Sequence, residues 1–125
     1  MVERDLSRMG FMVTGIKRIN RKEFDVVATR DGAIFNIQCK NNWIDISKIE
    51  ADRNAFIRYN RYLVNYYARA LKKERNREHL LKRELGMDIV VHYVISRFPV
   101  IGADQAVINY NQIDQLRSPD ALGPF

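Results

Sequence analysis

From about Ser47 to Leu85 the chain contains neither proline nor glycine, and good helix formers crowd it. Nothing else in the sequence limits the fold as tightly, because so long a stretch must be helical and must be covered along its apolar side. Ser47 is the expected N-cap, with Glu50 three residues on completing a capping box. Phe56, Tyr59, Leu63, Tyr66, Tyr67, Ala70 and Leu71 recur at helical spacing and make one face apolar. Thirty-nine residues are too many for one ordinary globular helix, so a break is expected near Arg75-Asn76-Arg77, and Gly86 ends the run.

The segments on either side supply the surface that such a helix needs. Residues 3–9 read as a short helix stopped at Gly10, followed by a strand over Phe11–Ile16 and a basic turn over Lys17–Lys22. Phe24–Thr29 and Ala33–Lys40 read as two further strands, and Asp31-Gly32 between them is a strong hairpin signal. Beyond the helical run, Ile89–Ser96 is a near-continuous apolar strand, which predicts a central, buried position. Ala106–Tyr110 reads as a last strand, and Asn111 as the cap of a short helix through Leu116. The order predicts an α/β fold, with a mixed central sheet (an antiparallel meander plus two further strands) flanked by helices. Residues 1–117 are expected to form one domain and 118–125 a loose tail.

Composition narrows the function classes. At 125 residues, with 46% hydrophobic and 29% charged, the chain is expected to be a folded protein. No apolar run reaches the ~18–20 residues of a membrane helix, so no membrane partner is expected. The N-terminal Met1–Asp5 carries acids where a signal peptide would be apolar. Cys39 has no internal partner, which favours a reducing, cytoplasmic setting. The net charge of +6 divides into +3 over residues 1–48, +5 over 49–85 and −2 over 86–125. A basic middle segment attracts polyanions, and a surplus of solvated arginine would look the same.

Gln38 and Lys40 lie two apart on one strand and so leave the same face, with Cys39 turned away into packing. Asp25 lies across the hairpin. With Gly32 near the turn centre, Asp25 and Lys40 are expected to be roughly opposite each other and Gln38 diagonal to Asp25. A carboxylate, an amide oxygen and an ammonium would then share one patch. Phosphodiester hydrolysis uses such groups: oxygen ligands for a hard cation, and a lysine to position water or stabilise charge on phosphorus.

Glu23-Phe24-Asp25-Val26-Val27-Ala28, followed by Ile34-Phe35-Asn36-Ile37-Gln38-Cys39-Lys40, resembles the Asp…Glu/Gln-x-Lys signature of the PD-(D/E)XK nuclease superfamily. That group includes restriction enzymes, archaeal Holliday-junction resolvases and Mrr-type enzymes. The resemblance implies a restriction-endonuclease-like core and a metal-dependent endonuclease acting on DNA, double-stranded or branched. It implies Mg²⁺ or Mn²⁺ held by Asp25, Gln38 and the Cys39 backbone carbonyl, with Lys40 as the catalytic lysine. Gln38 stands where most members have Glu, as in the Mrr-like subset, and leaves the cation one negative charge short. The family's first helix often supplies a further Glu. Glu3 is the candidate here, and Glu23 shares the Asp25 face by spacing.

Arg18, Arg21, Lys22, Asn42, Trp43, Arg53, Arg58 and Arg61 are the candidate nucleic-acid contacts, Trp43 through base stacking. Burial of Trp43 in the core is an equal alternative. The Tyr59/Tyr62/Tyr66/Tyr67 cluster is better read as core or as a homodimer interface than as a stacking platform. His79 and His92 have no partners at ligand spacing and read as structural. Two rivals stand beside the nuclease: a module of the same fold that binds nucleic acid without cutting, and an assembly domain that dimerises through its aromatic helix face. The chain also reads as a piece that could belong to a longer protein or complex.

Overall fold

The computed structural model describes residues 2–40, 53–97 and 100–116. Helix α1 (Val2–Arg8) leads into a two-residue strand, β1 (Met12–Val13). The expected strand over Phe11–Ile16 is cut short because Thr14 turns inward. Its hydroxyl donates to the Val27 carbonyl at 2.9 Å and accepts the Ile16 N–H at 3.2 Å. The stretch read as a basic turn is a second small hairpin, β2 (Arg18–Ile19) with β3 (Lys22–Glu23), turning through Asn20 and Arg21 at φ 49° and 66°. These positive angles make the mirror-image turn that suits strand twist, built here without glycine.

β4 (Val26–Arg30) and β5 (Ala33–Lys40) follow, joined through Asp31 and Gly32 at φ 53° and 76°. The long helical run divides into α2 (Arg53–Arg75) and α3 (Glu78–Leu85), separated at Asn76-Arg77 as expected. Gly86 closes α3 in the left-handed conformation and returns its N–H to the Lys82 carbonyl, which glycine does without a Cβ clash. The expected Ser47-Glu50 capping box lies outside the described residues, as does the tail 118–125. After β6 (Val90–Ser96) and β7 (Val107–Asn109) a 3-10 segment covers Tyr110–Gln115. Its N-cap is Asn109, whose side chain accepts the Asn111 N–H, and not Asn111 itself.

The protein is thus α/β, with a mixed five-stranded sheet in the order β1-β4-β5-β6-β7. β1, β4 and β5 are antiparallel, while β5–β6 and β6–β7 are parallel. Alternation along the central strands sorts side chains between two layers. Phe35, Ile37, Tyr93 and Ile95 pack with Leu6 of α1 and Leu116. On the other face Ile34 meets Leu80 and Leu81 of α3, and Val94 meets Leu63, Tyr67 and Leu71 of α2. No described helix is long and apolar enough to cross a membrane.

Candidate active site

On its α2–α3 face, β5 runs Ile34, Asn36, Gln38, Lys40, becoming polar toward its carboxyl end. The parallel pairing sets Asn36 beside His92, Gln38 beside Val94 and Lys40 beside Ser96. Most of these polar groups have a partner. Asn36 Nδ2 lies 3.3 Å from His92 Nδ1, Ser96 Oγ is 2.9 Å from the Tyr67 hydroxyl, and Lys40 Nζ sits 5.1 Å from the Tyr66 ring centre. Two side-chain oxygens on this face, Asn36 Oδ1 and Gln38 Oε1, are closed off from solvent and lack a hydrogen-bond donor among the described residues, and Gln38 is the one nearer the strand's carboxyl end. A buried amide oxygen left this way costs about 1–3 kcal/mol unless something else fills its lone pairs.

The hairpin register corrects the expected pairing. Arg30 faces Ala33 and Val26 faces Ile37, so extending the ladder by one step places Asp25 opposite Gln38. Lys40 lies beyond, level with Glu23. The turn contains Asp31 and Gly32 alone, which shifts the ladder relative to one centred on Gly32. The paired ladder begins at Val26, so Asp25 stands just outside the strand, and its carboxylate accepts the Cys39 backbone N–H at 2.9 Å. Phe24 would continue the ladder against Cys39, but its N–H goes to the Lys17 carbonyl at 2.9 Å. The Cys39 carbonyl is therefore left without the Phe24 N–H that a continued ladder would supply.

Lys17 ties the first helix to this corner. Its Nζ donates to Glu3 Oε1 at 2.7 Å and to the Asp25 carbonyl at 2.9 Å. Glu3 thus does reach the edge of the site, and the Lys17 hydrogen bond and charge hold its carboxyl below the ordinary value. Glu23 is turned to the β2–β3 hairpin, paired with Arg18 at 2.7 Å. Cys39 packs into the α1-side core, where burial pushes its thiol up to about 11, the Asp25 charge adding to the shift. It stays protonated at neutral pH, so it is no thiolate nucleophile.

A cleft of about 560 Å³ opens at the carboxyl ends of β5 and β6, lined by Val2, Cys39, Lys40, Ile95, Arg97, Tyr110 and Asn111. Arg97 and Tyr110 were not foreseen as site residues. Arg97 directly follows β6 and gives its N–H to the Lys40 carbonyl, a position readable as the first cation past an apolar strand. Of the expected nucleic-acid contacts, Asn42 and Trp43 lie outside the described residues. Arg21 and Lys22 are exposed on the small hairpin, and Arg53, Arg58 and Arg61 are exposed on the first half of α2.

A second polar cluster, also unforeseen, lies beneath α2 and α3. Glu74 is 1% exposed and pairs with Arg77 Nε at 2.7 Å, and its other oxygen is 3.5 Å from Asn36 Nδ2. His92 Nε2 lies 2.8 Å from Glu78. Burial pushes the Glu78 carboxyl up, but the His92 and Lys82 contacts outweigh it and hold the group below its ordinary value. Its charges are paired with one another, with Asn36 Oδ1 left without a donor among the described residues, and it reads as structural, in keeping with the expectation for His92.

Among the described residues no three His, Cys, Asp or Glu side chains gather as a metal-binding group. The donors at Asp25 are of another kind: one carboxylate, one amide oxygen without a donor and one main-chain carbonyl. Oxygen donors of this sort suit Mg²⁺ or Mn²⁺. No family model, curated protein or solved structure matches the chain.

Proposed function

We propose that the protein is a metal-dependent endonuclease of restriction-endonuclease-like fold that hydrolyses phosphodiester bonds in DNA at Asp25, Gln38 and Lys40. The observation that carries this reading is the buried Gln38 Oε1, lacking a donor among the described residues, at the strand position next to Cys39, whose N–H holds the Asp25 carboxylate. Asp25, Gln38 Oε1 and the Cys39 carbonyl would hold Mg²⁺ or Mn²⁺. When bound, the cation supplies Lewis-acid polarisation of the phosphoryl group and makes a water more acidic. The Cys39 N–H fixes the direction of the Asp25 carboxylate. Lys40, held over Tyr66, brings an ammonium to the same strand end, where it can donate to the attacking water or to a non-bridging phosphate oxygen.

The test is cleavage of supercoiled plasmid and of a branched DNA with Mg²⁺, Mn²⁺ or EDTA, with Asp25→Ala and Lys40→Ala run beside the wild type. Metal-dependent cutting that both variants lose supports the reading, and cutting that survives Asp25→Ala refutes it. One observation favours a second reading, a module that binds nucleic acid without cutting. Glu3 is committed to Lys17, which leaves Asp25 the only acidic side chain among the described residues held at this strand end without a paired cation on its carboxylate. Salt-sensitive DNA binding with no metal-dependent cleavage selects that reading.

A further inference from the structure

The C-terminal half of α2 and the β2–β3 hairpin enclose a groove of about 570 Å³. Lys22, Arg69, Lys72, Lys73, Arg77 and His79 contribute to its lining, and no Asp or Glu does. Arg77 is neutralised by Glu74. Lys22, Arg69, Lys72 and Lys73 are all exposed, and none is paired with a described acid. Arg69 stands three and four residues before Lys72 and Lys73, the spacings at which like charges on a helix repel. The helix's terminal carbonyls offset this for the two lysines in the last turn. They do not reach Arg69, and they do nothing for Lys22, which comes from another element.

We propose that this groove holds the phosphate backbone of the nucleic acid presented to the Asp25 site, a proposal that rests on the nuclease reading above. The unpaired helix cations run from Arg69 to Lys73, roughly 6 Å along the axis, and Lys22 joins them from the hairpin, more positive charge than one phosphate needs and in keeping with a chain of them. The one apolar side chain in the lining, Leu80, is 8% exposed, so nothing there could enter a lipid bilayer. The groove is also joined to the site. Lys22 lines it, three residues before Asp25, or about 10 Å of extended chain. Arg77 at its floor donates to the Glu23 carbonyl and lies 4.4 Å over the Phe24 ring. Backbone bound here lies beside the segment that leads from β3 to Asp25.

The experiment is fluorescence anisotropy of a labelled DNA duplex in EDTA, titrated over a salt series, with wild type, Lys72→Gln/Lys73→Gln and Arg58→Gln/Arg61→Gln. Losing two phosphate contacts is expected to weaken binding roughly tenfold and to flatten the slope of log K against log salt by about 1.8. The Lys72/Lys73 variant should keep its melting temperature, since the repulsion from Arg69 and the attraction of the helix-terminal carbonyls are lost together, and an unchanged melt shows that a folding defect does not produce the result. An unchanged slope overturns the proposal, as does flattening by the Arg58/Arg61 variant alone. Displacement of the duplex by millimolar inorganic phosphate overturns it in favour of a small-anion site. Pelleting with phosphatidylserine vesicles in place of DNA binding overturns it in favour of a lipid surface. If the duplex binds through the groove while the wild type never cuts, the cleavage reading fails and the groove stands. Metal-dependent cutting with an unaltered slope has the opposite meaning.

Discussion

Gln38→Glu tests the site without relying on turnover. The substitution places a second carboxylate at a position whose Oε1 is shielded from water and which stands opposite Asp25 when the observed ladder is extended by one step. Directly opposed residues have Cβ atoms ~5 Å apart, and at an effective dielectric of about 20 two charges at that separation repel by about 3 kcal/mol. For a domain of this size 1 kcal/mol corresponds to roughly 4 °C, so the metal-free variant should melt about 12 °C below wild type at pH 7.5. The same repulsion raises the folded-state pKa of the new carboxyl by about 2 units. The folded protein then holds a proton that the unfolded chain releases, so the destabilisation is absent below pH ~4.3 and grows as pH rises through the next two units. A divalent cation at a hundred times its dissociation constant restores about 2.7 kcal/mol, most of the loss. Differential scanning fluorimetry with EDTA, Mg²⁺ and Mn²⁺ reads all three effects. A Gln38→Glu protein that melts like wild type and ignores both metals refutes the opposition of Gln38 and Asp25, and with it the proposed centre.

Glu74→Ala should be far more damaging than any surface change on α2, costing about 3–5 kcal/mol in urea unfolding, because it leaves the Arg77 guanidinium buried and unpaired. A loss below 1 kcal/mol would show that the pair is solvated. Tyr67→Phe removes the hydrogen bond between its hydroxyl and buried Ser96 and is expected to cost about 1 kcal/mol, with Ser96→Ala in the same background adding little more. Glu78, held below its ordinary value, contributes stability that is present above pH 4.5 and lost as pH falls through the lowered value. Glu78→Gln should flatten the acid limb of the melting profile, and an unaltered limb would remove Glu78 from the account. Cys39, with its thiol near 11, should leave about one molecule in 1,000 as thiolate at pH 8, so labelling by a disulfide reagent should be slow and still rising at pH 10.

The features that were legible in the sequence are those set by neighbouring residues. Asp31-Gly32 announces its turn, β5 runs over the expected Ala33–Lys40, and Asn76-Arg77 and Gly86 end helices where the composition says they must. The β2–β3 hairpin escaped because its positive-φ positions are Asn20 and Arg21, and no glycine marks them. Asp25 was paired with the wrong strand position for a similar reason: a sequence does not say whether a turn holds one residue more or fewer, and one step moves every partner. Glu74 did leave a trace. It falls seven residues after Tyr67 and three after Leu71, on the stripe that is otherwise apolar. A carboxylate on that stripe predicts a buried cation from elsewhere, and Arg77 supplies it across the helix break.

That break links the fold to the proposed chemistry. A continuous helix through Asn76 and Arg77 would hold position 77 in a regular helical turn. Glu74 and Arg77, three residues apart, would meet in a continuous helix too; with the chain interrupted there, the same guanidinium also donates to the Glu23 carbonyl and covers Phe24. One side chain thus fixes the end of α2 against the segment that enters β4 just before Asp25. Lys17 does the same from the opposite side, joining Glu3 of α1 to the Asp25 carbonyl. Asp25 lies outside the regular ladder, where a backbone would otherwise fray, yet two cations clamp its flanks and the Cys39 N–H orients its carboxylate. A carboxylate oriented by one backbone N–H, on a segment whose carbonyls are tied down from both sides, is positioned before any ligand arrives, which is the preorganisation that the proposed chemistry would require.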